Sequence, residues 1–129
     1  MTTSGDPVFR EMSAWERAVV NRLLSVPFEG SEAVRTQIAS ALVRLVRDDD
    51  ECHTLEIDVR AGAPIPNSYP FNRPLPVEGQ FFSPGGTRVE VRLLHMKGRL
   101  SRLEFIVYGE RLDGLPAPEA IEVWAVPRK

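Results

Sequence analysis

Apolar positions along this chain change their period, and the change separates two kinds of element. Trp15, Ala18, Val19, Leu23 and Val26 recur at helical spacing, with Glu16, Arg17, Asn21 and Arg22 between them. That pattern describes an amphipathic helix. Ser13-Ala14-Trp15-Glu16 fits a capping box, in which the Ser13 hydroxyl accepts from the Glu16 amide while the Glu16 carboxylate reaches back. Pro27 biases its predecessor away from the α region, so the helix is expected to stop near Ser25. Phe28-Glu29-Gly30 turns the chain. Ser31 is then expected to cap a second, shorter helix ending near Ile38, with Val34 and Ile38 on its inner side.

From Ala41 the period becomes two. Strands are expected over residues 41–46, 55–60, 77–82, 89–96, 100–108 and 121–126. A polar turn spans 48–53. Residues 61–76 hold Pro64, Pro66, Pro70, Pro74 and Pro76, which leaves no room there for a helix or a central strand. Helices followed by strands imply an α+β fold, with two N-terminal helices packed on one face of a mainly antiparallel five- or six-stranded sheet. Most connections are too short for parallel crossovers. Residues 1–10 read as a flexible N-terminus and 11–129 as one domain interrupted by the Pro-rich loop 61–76.

The strands around Gly98 form the clearest hairpin. Val89, Val91, Leu93, Leu103, Phe105 and Val107 should share the face toward the helices. Opposed residues lie on the same face, so odd positions must meet odd positions, and a loop of odd length is expected. A Met96-Lys97-Gly98 loop puts Gly98 at a bulge position needing positive φ, with Glu90 opposite Glu104 and Arg92 opposite Arg102. A Lys97-Gly98-Arg99 loop puts Arg92 opposite Glu104 but asks Arg99 for positive φ. A cross-strand charge pair contributes about 0.2–1 kcal/mol, and a left-handed non-glycine residue costs about 1–2 kcal/mol. The balance favours Gly98 in the bulge, with Arg92 and Glu104 as diagonal neighbours.

The other face of this hairpin should carry Glu90, Arg92, Leu94, Arg102, Glu104, Ile106 and Tyr108, joined by Glu122 and Trp124. It reads either as a solvated face with scattered apolar residues or as a protein-binding surface, since Trp, Tyr and Arg dominate binding hot spots. Arg92, Arg102, Glu104, Tyr108 and Trp124 are the candidate partner-binding residues. Tyr69 and Phe71, set between prolines, join them. Their loop is either functional or a cover for the sheet edge.

Composition narrows the function without naming it. The 129 residues suit one domain, and 43% apolar with 26% charged residues is ordinary for a globular chain. Net charge is −2, so no basic excess invites nucleic acid or an anionic membrane. Of the 16 basic residues only Lys97 and Lys129 are lysine, but the acids interleaved with the arginines argue against a nucleic-acid face. One cysteine, Cys52, excludes an internal disulfide and points to a reducing, cytoplasmic setting. The polar start of the chain does not read as a signal peptide, and no apolar run is long enough to span a membrane.

Catalytic and metal chemistry find little support. Cys52-His53 is the one nucleophile–base pairing, yet neighbours on a strand point to opposite faces. Asp48-Asp49-Asp50-Glu51 lacks the alternation and turn glycine of a calcium loop and reads as a solvated tip. Two histidines and one cysteine do not make a zinc site. Pro84-Gly85-Gly86-Thr87 precedes a strand rather than a helix, so it is a turn and not a phosphate cradle. No cofactor is expected.

Three segments carry a resemblance: Gly86-Thr87-Arg88-Val89-Glu90-Val91-Arg92-Leu93-Leu94, Gly98-Arg99-Leu100-Ser101-Arg102-Leu103-Glu104-Phe105 and Gly114-Leu115-Pro116. The layout over 11–126 resembles small bacterial domains of unknown function that begin with two short helices and end in an antiparallel meander. It is similar at fold level to immunity proteins of bacterial toxin systems. The resemblance brings no catalytic residue. Together these readings lead to a non-enzymatic protein-binding module, an immunity or accessory protein. The alternative is a small-molecule-binding or enzymatic domain with a pocket under the Pro-rich loop, near Tyr69, Phe71 and His95.

Overall fold

A computed structural model describes residues 8–66, 74–109 and 115–126. Helix α1 (Ala14–Leu24) begins with the expected capping box: the Glu16 amide donates to Ser13 Oγ at 3.1 Å and the Ser13 amide to Glu16 Oε1 at 2.8 Å. It ends at Ser25. Helix α2 (Ser31–Gln37) is capped differently from the expectation. Gly30 is the N-cap, with φ 88, and Ser31 is the first helical residue, buried rather than capping. A short 3₁₀ turn, Ile38–Ser40, follows.

The strands are β1 (Arg10–Glu11), β2 (Leu42–Asp48), β3 (Cys52–Asp58), β4 (Pro74–Phe82), β5 (Arg88–Met96), β6 (Arg99–Tyr108) and β7 (Glu122–Ala125). They form one antiparallel sheet of seven strands in the order β1-β2-β3-β6-β5-β4-β7. The count exceeds the expected five or six because Arg10 and Glu11 pair with Val43 and Leu42. A two-residue strand has no periodicity to read, and its pairing depends on where α1 returns the chain. β2 and β3 also reach further into the acidic tip than expected, leaving Asp49-Asp50-Glu51 as the turn. β4, an interior strand, begins at Pro74, inside the stretch 61–76 where no central strand is expected. Pro74 is its first residue, and its pairing with β5 is irregular between Pro74 and Glu78, where a proline is tolerated.

The hairpin has the expected parity but not the favoured register. Met96 pairs with Arg99, so the loop is only Lys97-Gly98. Both residues have positive φ, 53 and 84, as a tight twist-matched hairpin turn requires. Parity is rescued further along. His95 faces Leu100 and Leu94 faces Arg102, so Ser101 is an extra, bulged residue. Beyond it Arg92 pairs with Glu104 and Val91 with Phe105. Glu90 is therefore opposite Ile106, not Glu104, and Arg102 is opposite Leu94, not Arg92.

The inner face meets the helices as expected: Val89, Val91, Leu93, Leu103, Phe105 and Val107 are all buried with Val19, Val20, Leu23, Leu24 and Val34. Trp15 stacks on Phe105, ring centroids 5.6 Å apart, and its Nε1 donates to the Pro116 carbonyl at 2.7 Å. Gly79 of β4 lets α1 approach closely; a Cβ there would sit 3.1 Å from Leu23 Cδ2 and 3.0 Å from Ile121 Cγ2. Gln37 fastens three segments together. Its Nε2 donates to the Pro64 carbonyl at 2.8 Å and the Gly98 carbonyl at 2.9 Å, while its Oε1 accepts from the Leu100 amide at 2.9 Å. The end of α2, the start of the Pro-rich stretch and the hairpin turn thus share one fully buried side chain.

Candidate functional site

Residues on adjacent antiparallel strands that pair directly lie side by side on one face, so the register lays out the outer face row by row. Trp124 of β7, Glu78 of β4, Arg92 of β5 and Glu104 of β6 form one continuous row, extended by Thr54 and Arg47. On one side of it lies the row Glu122, Gln80, Glu90, Ile106 and Cys52. Beyond that, Phe82, Arg88 and Tyr108 are aligned. On the other side, Leu94, Arg102, Glu56 and Arg44 make a fourth row. Among the described residues, both helices lie on the opposite face.

Glu90 is the centre of this surface. Its carboxylate is buried, with the residue 6% exposed. Oε1 accepts from Arg92 Nε, and Oε2 accepts from the Tyr108 hydroxyl at 3.1 Å and lies 3.6 Å from Arg88 Nη2. Arg88 Nε also donates to Gln80 Oε1 at 3.0 Å, and its guanidinium sits 5.0 Å from the Tyr108 ring centroid. Burial works against the charge on Arg92, but the bond to Glu90 and the nearby charges of Glu90 and Glu78 outweigh it and hold the guanidinium above its ordinary pKa. The charges here are thus fixed in place, which lowers the entropy lost when a partner meets them. At the far side Arg44 donates to Glu56 at 3.0 Å and stacks 4.6 Å from the Phe9 ring.

Five of the expected partner-binding residues come together on this face. Arg102 and Tyr108 are exposed, and Arg92, Glu104 and Trp124 are half-buried. Tyr69 and Phe71 lie outside the described residues. The β4 members Glu78, Gln80 and Phe82, and Arg88 of β5, were not singled out from sequence. Their shared parity along each strand was the available signal; the strand order that places β4 beside β5 was not.

The remaining candidates separate. Cys52 and His53 do point to opposite faces. Cys52 Sγ contacts Thr54 Oγ1 at 3.0 Å, whereas His53 Nδ1 meets Asp48 Oδ1 at 3.2 Å with its ring against Phe105. His95 is buried on the inner side, where its Nδ1 accepts from the Gly98 amide at 3.0 Å. In the acidic tip, Asp49 is already engaged. Its Oδ2 bonds Arg47 Nε at 2.6 Å, and its Oδ1 accepts from the Glu51 and Cys52 amides, each at 2.9 Å. Arg47 foremost, then the Glu51 amide, holds that carboxyl below its usual range. Among the described residues no three His, Cys, Asp or Glu side chains are grouped to hold a metal. The Gly86 amide closes a turn on the Ser83 carbonyl at 2.8 Å.

A cleft of about 610 Å³ lies at the α1–α2 link, lined by Pro27, Phe28, Arg35, Ile65 and Pro66 among others. It adjoins the start of the Pro-rich stretch, but His95 is not part of its wall. No helix among the described residues is long and apolar enough to cross a membrane.

Fold and surface together define a small α+β protein whose antiparallel sheet packs helices against one face. Comparison of the chain with known protein families, with curated proteins and with solved structures gives no match.

Proposed function

We propose that this chain is a non-enzymatic protein-binding module that acts through the outer face of its sheet. The observation that carries this reading is the row Trp124–Glu78–Arg92–Glu104 beside the fixed Arg88–Glu90–Arg92–Tyr108 cluster. Aromatic rings and oriented guanidiniums on a flat surface are what protein hot spots use. The interleaved signs suit a protein surface of mixed charge better than a polyanion. The lone, free Cys52 fits a cytoplasmic setting. The resemblance of the hairpin segments to small bacterial domains is compatible with an immunity or accessory role.

Affinity capture from source-cell extract with quantitative mass spectrometry tests this. Trp124→Ala combined with Arg102→Glu should deplete a specific bound protein at least about tenfold, the scale of a lost hot spot. Glu32→Ala, exposed on α2, should leave it bound. An identical set of captured proteins from both variants would remove the outer face from consideration.

The second reading is small-molecule binding in the cleft at the α1–α2 link. Its volume falls within the range of ligand sites, about 300–1,000 Å³. Saturable shifts of the Phe28, Ile65 and Ala33 NMR signals on screening small molecules would support it, and unshifted signals would dispose of it.

A further inference from the structure

We infer that the occupant of the outer sheet face is a second copy of this chain, related by a two-fold axis that runs across the strands. This rests on the reading of that face as a protein-binding surface and names its partner.

The sheet edges are poor places to associate. β1 has two residues and β7 has four, and β2 carries a register irregularity after Leu45. Short, bulged edges resist strand addition. The face offers more. Strands lie ~4.8 Å apart and rise ~3.3 Å per residue, so six strands of roughly seven residues make a patch of about 650 Å² before roughness is counted. A standard interface buries about 800 Å² per partner, so the patch is of the right order.

Its charge pattern is self-complementary about an axis that crosses the strands. An isologous contact puts each residue against a definite counterpart and the reverse. With the axis along the strands through β5, Glu78 would meet Glu104 of the other copy and Arg92 would meet itself, which is repulsive. With the axis across the strands, midway between the Glu90 and Arg92 rows, each row faces its neighbour. Glu90 then meets Arg92, Gln80 meets Glu78, and the exposed Tyr108 meets the exposed Arg102. The last pair brings a guanidinium to a tyrosine ring, a favourable contact within about 6 Å. Facing sheets stand about 10 Å apart, a gap that arginine and tyrosine side chains can fill from both sides.

Sedimentation velocity on the full chain tests the inference at about 100 μM, where even a micromolar interface is occupied. The expected species has twice the chain mass. Arg102→Glu and Tyr108→Ala should each weaken the dimer roughly tenfold or more, with far-UV circular dichroism unchanged in both. The stability of the monomer should be unchanged in Arg102→Glu, whereas Tyr108→Ala also removes a donor from the buried Glu90 carboxylate. Because the two residues meet across the axis, the double variant should weaken it no further than the stronger single variant. A monomer at 100 μM, a dimer indifferent to both substitutions, or a dimer broken by Glu32→Arg on α2 instead would each overturn the inference. A monomeric chain whose outer-face variants still lose a different captured protein would overturn the second copy alone. Variants that lose neither would overturn the binding face as well.

Discussion

Along β5, Val89, Val91, Leu93 and His95 are buried beneath the helices, while the alternate residues Arg88, Arg92 and Leu94 are half-exposed. The same strand therefore obeys two rules. On the inner side, apolar area removed from water decides which residue fits, at about 25 cal/mol per Å². On the outer side the one buried residue, Glu90, is held by Arg92, Arg88 and Tyr108. Burying a carboxylate is costly unless it is paired and hydrogen-bonded, so these three residues are constrained by Glu90 as well as by any partner. The inner face is built for stability, and the outer face keeps polar groups oriented at some cost to stability.

Truncation of Phe105 gives the largest contrast between the faces. Phe105 is fully buried and stacks on Trp15, so Phe105→Ala should cost about 3–5 kcal/mol in urea unfolding. Its chain neighbour Ile106 lies half-buried on the outer side, and Ile106→Ala should cost only about 1 kcal/mol. Equal losses would mean that the outer face is packed as tightly as the core within a single chain.

Gln37 tests the polar exception on the inner side. Gln37→Ala would leave the Gly98 and Pro64 carbonyls and the Leu100 amide without the bonds it supplies. A loss of about 2–4 kcal/mol is expected, since a buried group left unsatisfied costs about 1–3 kcal/mol. Hydrogen exchange at Leu100 and the turn should accelerate with it. Unchanged protection there would show that the hairpin turn holds without the helix.

These two sites also show what was legible before the fold was known. α1 was readable residue by residue, because the capping box, the helical spacing and Pro27 act within a few positions. The inner parity of β5 and β6 was readable for the same reason. The register was not. Parity alone points to an odd loop, but the even loop Lys97-Gly98 followed by a bulge at Ser101 meets the same parity, and the bulge leaves no mark of its own. Gln37 looked like any helix-surface residue, because its three partners lie 27, 61 and 63 positions away. On the outer face, Arg92, Glu104, Tyr108 and Trp124 followed from alternation. The row that Arg92, Glu104 and Trp124 complete needed β4 between β5 and β7, which is a matter of sheet order and not of local pattern.

Glu16 carries a smaller, pH-dependent contribution on the helix side. Burial alone would raise its pKa, but bonds from Arg10, 2.8 Å at both oxygens, and from the Ser13 amide outweigh burial and hold it below the ordinary 4.5. A depressed carboxylate contributes stability that is fully present above the unfolded pKa. That stability is lost as pH falls through 4.5 toward the lower folded value. Glu16→Gln should cost on the order of 1 kcal/mol at pH 7, the scale of a cap, and should flatten the decline in melting temperature between pH 5 and about pH 3. A wild-type decline that the variant reproduces in full would assign the acid sensitivity to other carboxylates.

Arg102 should give the smallest effect on stability and the sharpest separation of the two faces. It is exposed, pairs across the sheet with Leu94 on one side and Glu56 on the other, and neither neighbour is buried. Arg102→Ala should therefore change unfolding free energy by no more than about 0.5 kcal/mol. Arg92→Ala is the useful contrast, because it strips the buried Glu90 carboxylate of its Nε donor and should cost about 1–3 kcal/mol. Both substitutions remove a guanidinium from the same surface, so both should weaken association. Only Arg92 should weaken the fold. If Arg102→Ala destabilised the chain as much as Arg92→Ala, the outer face would be an internal packing surface, and its arginines would be explained without any partner.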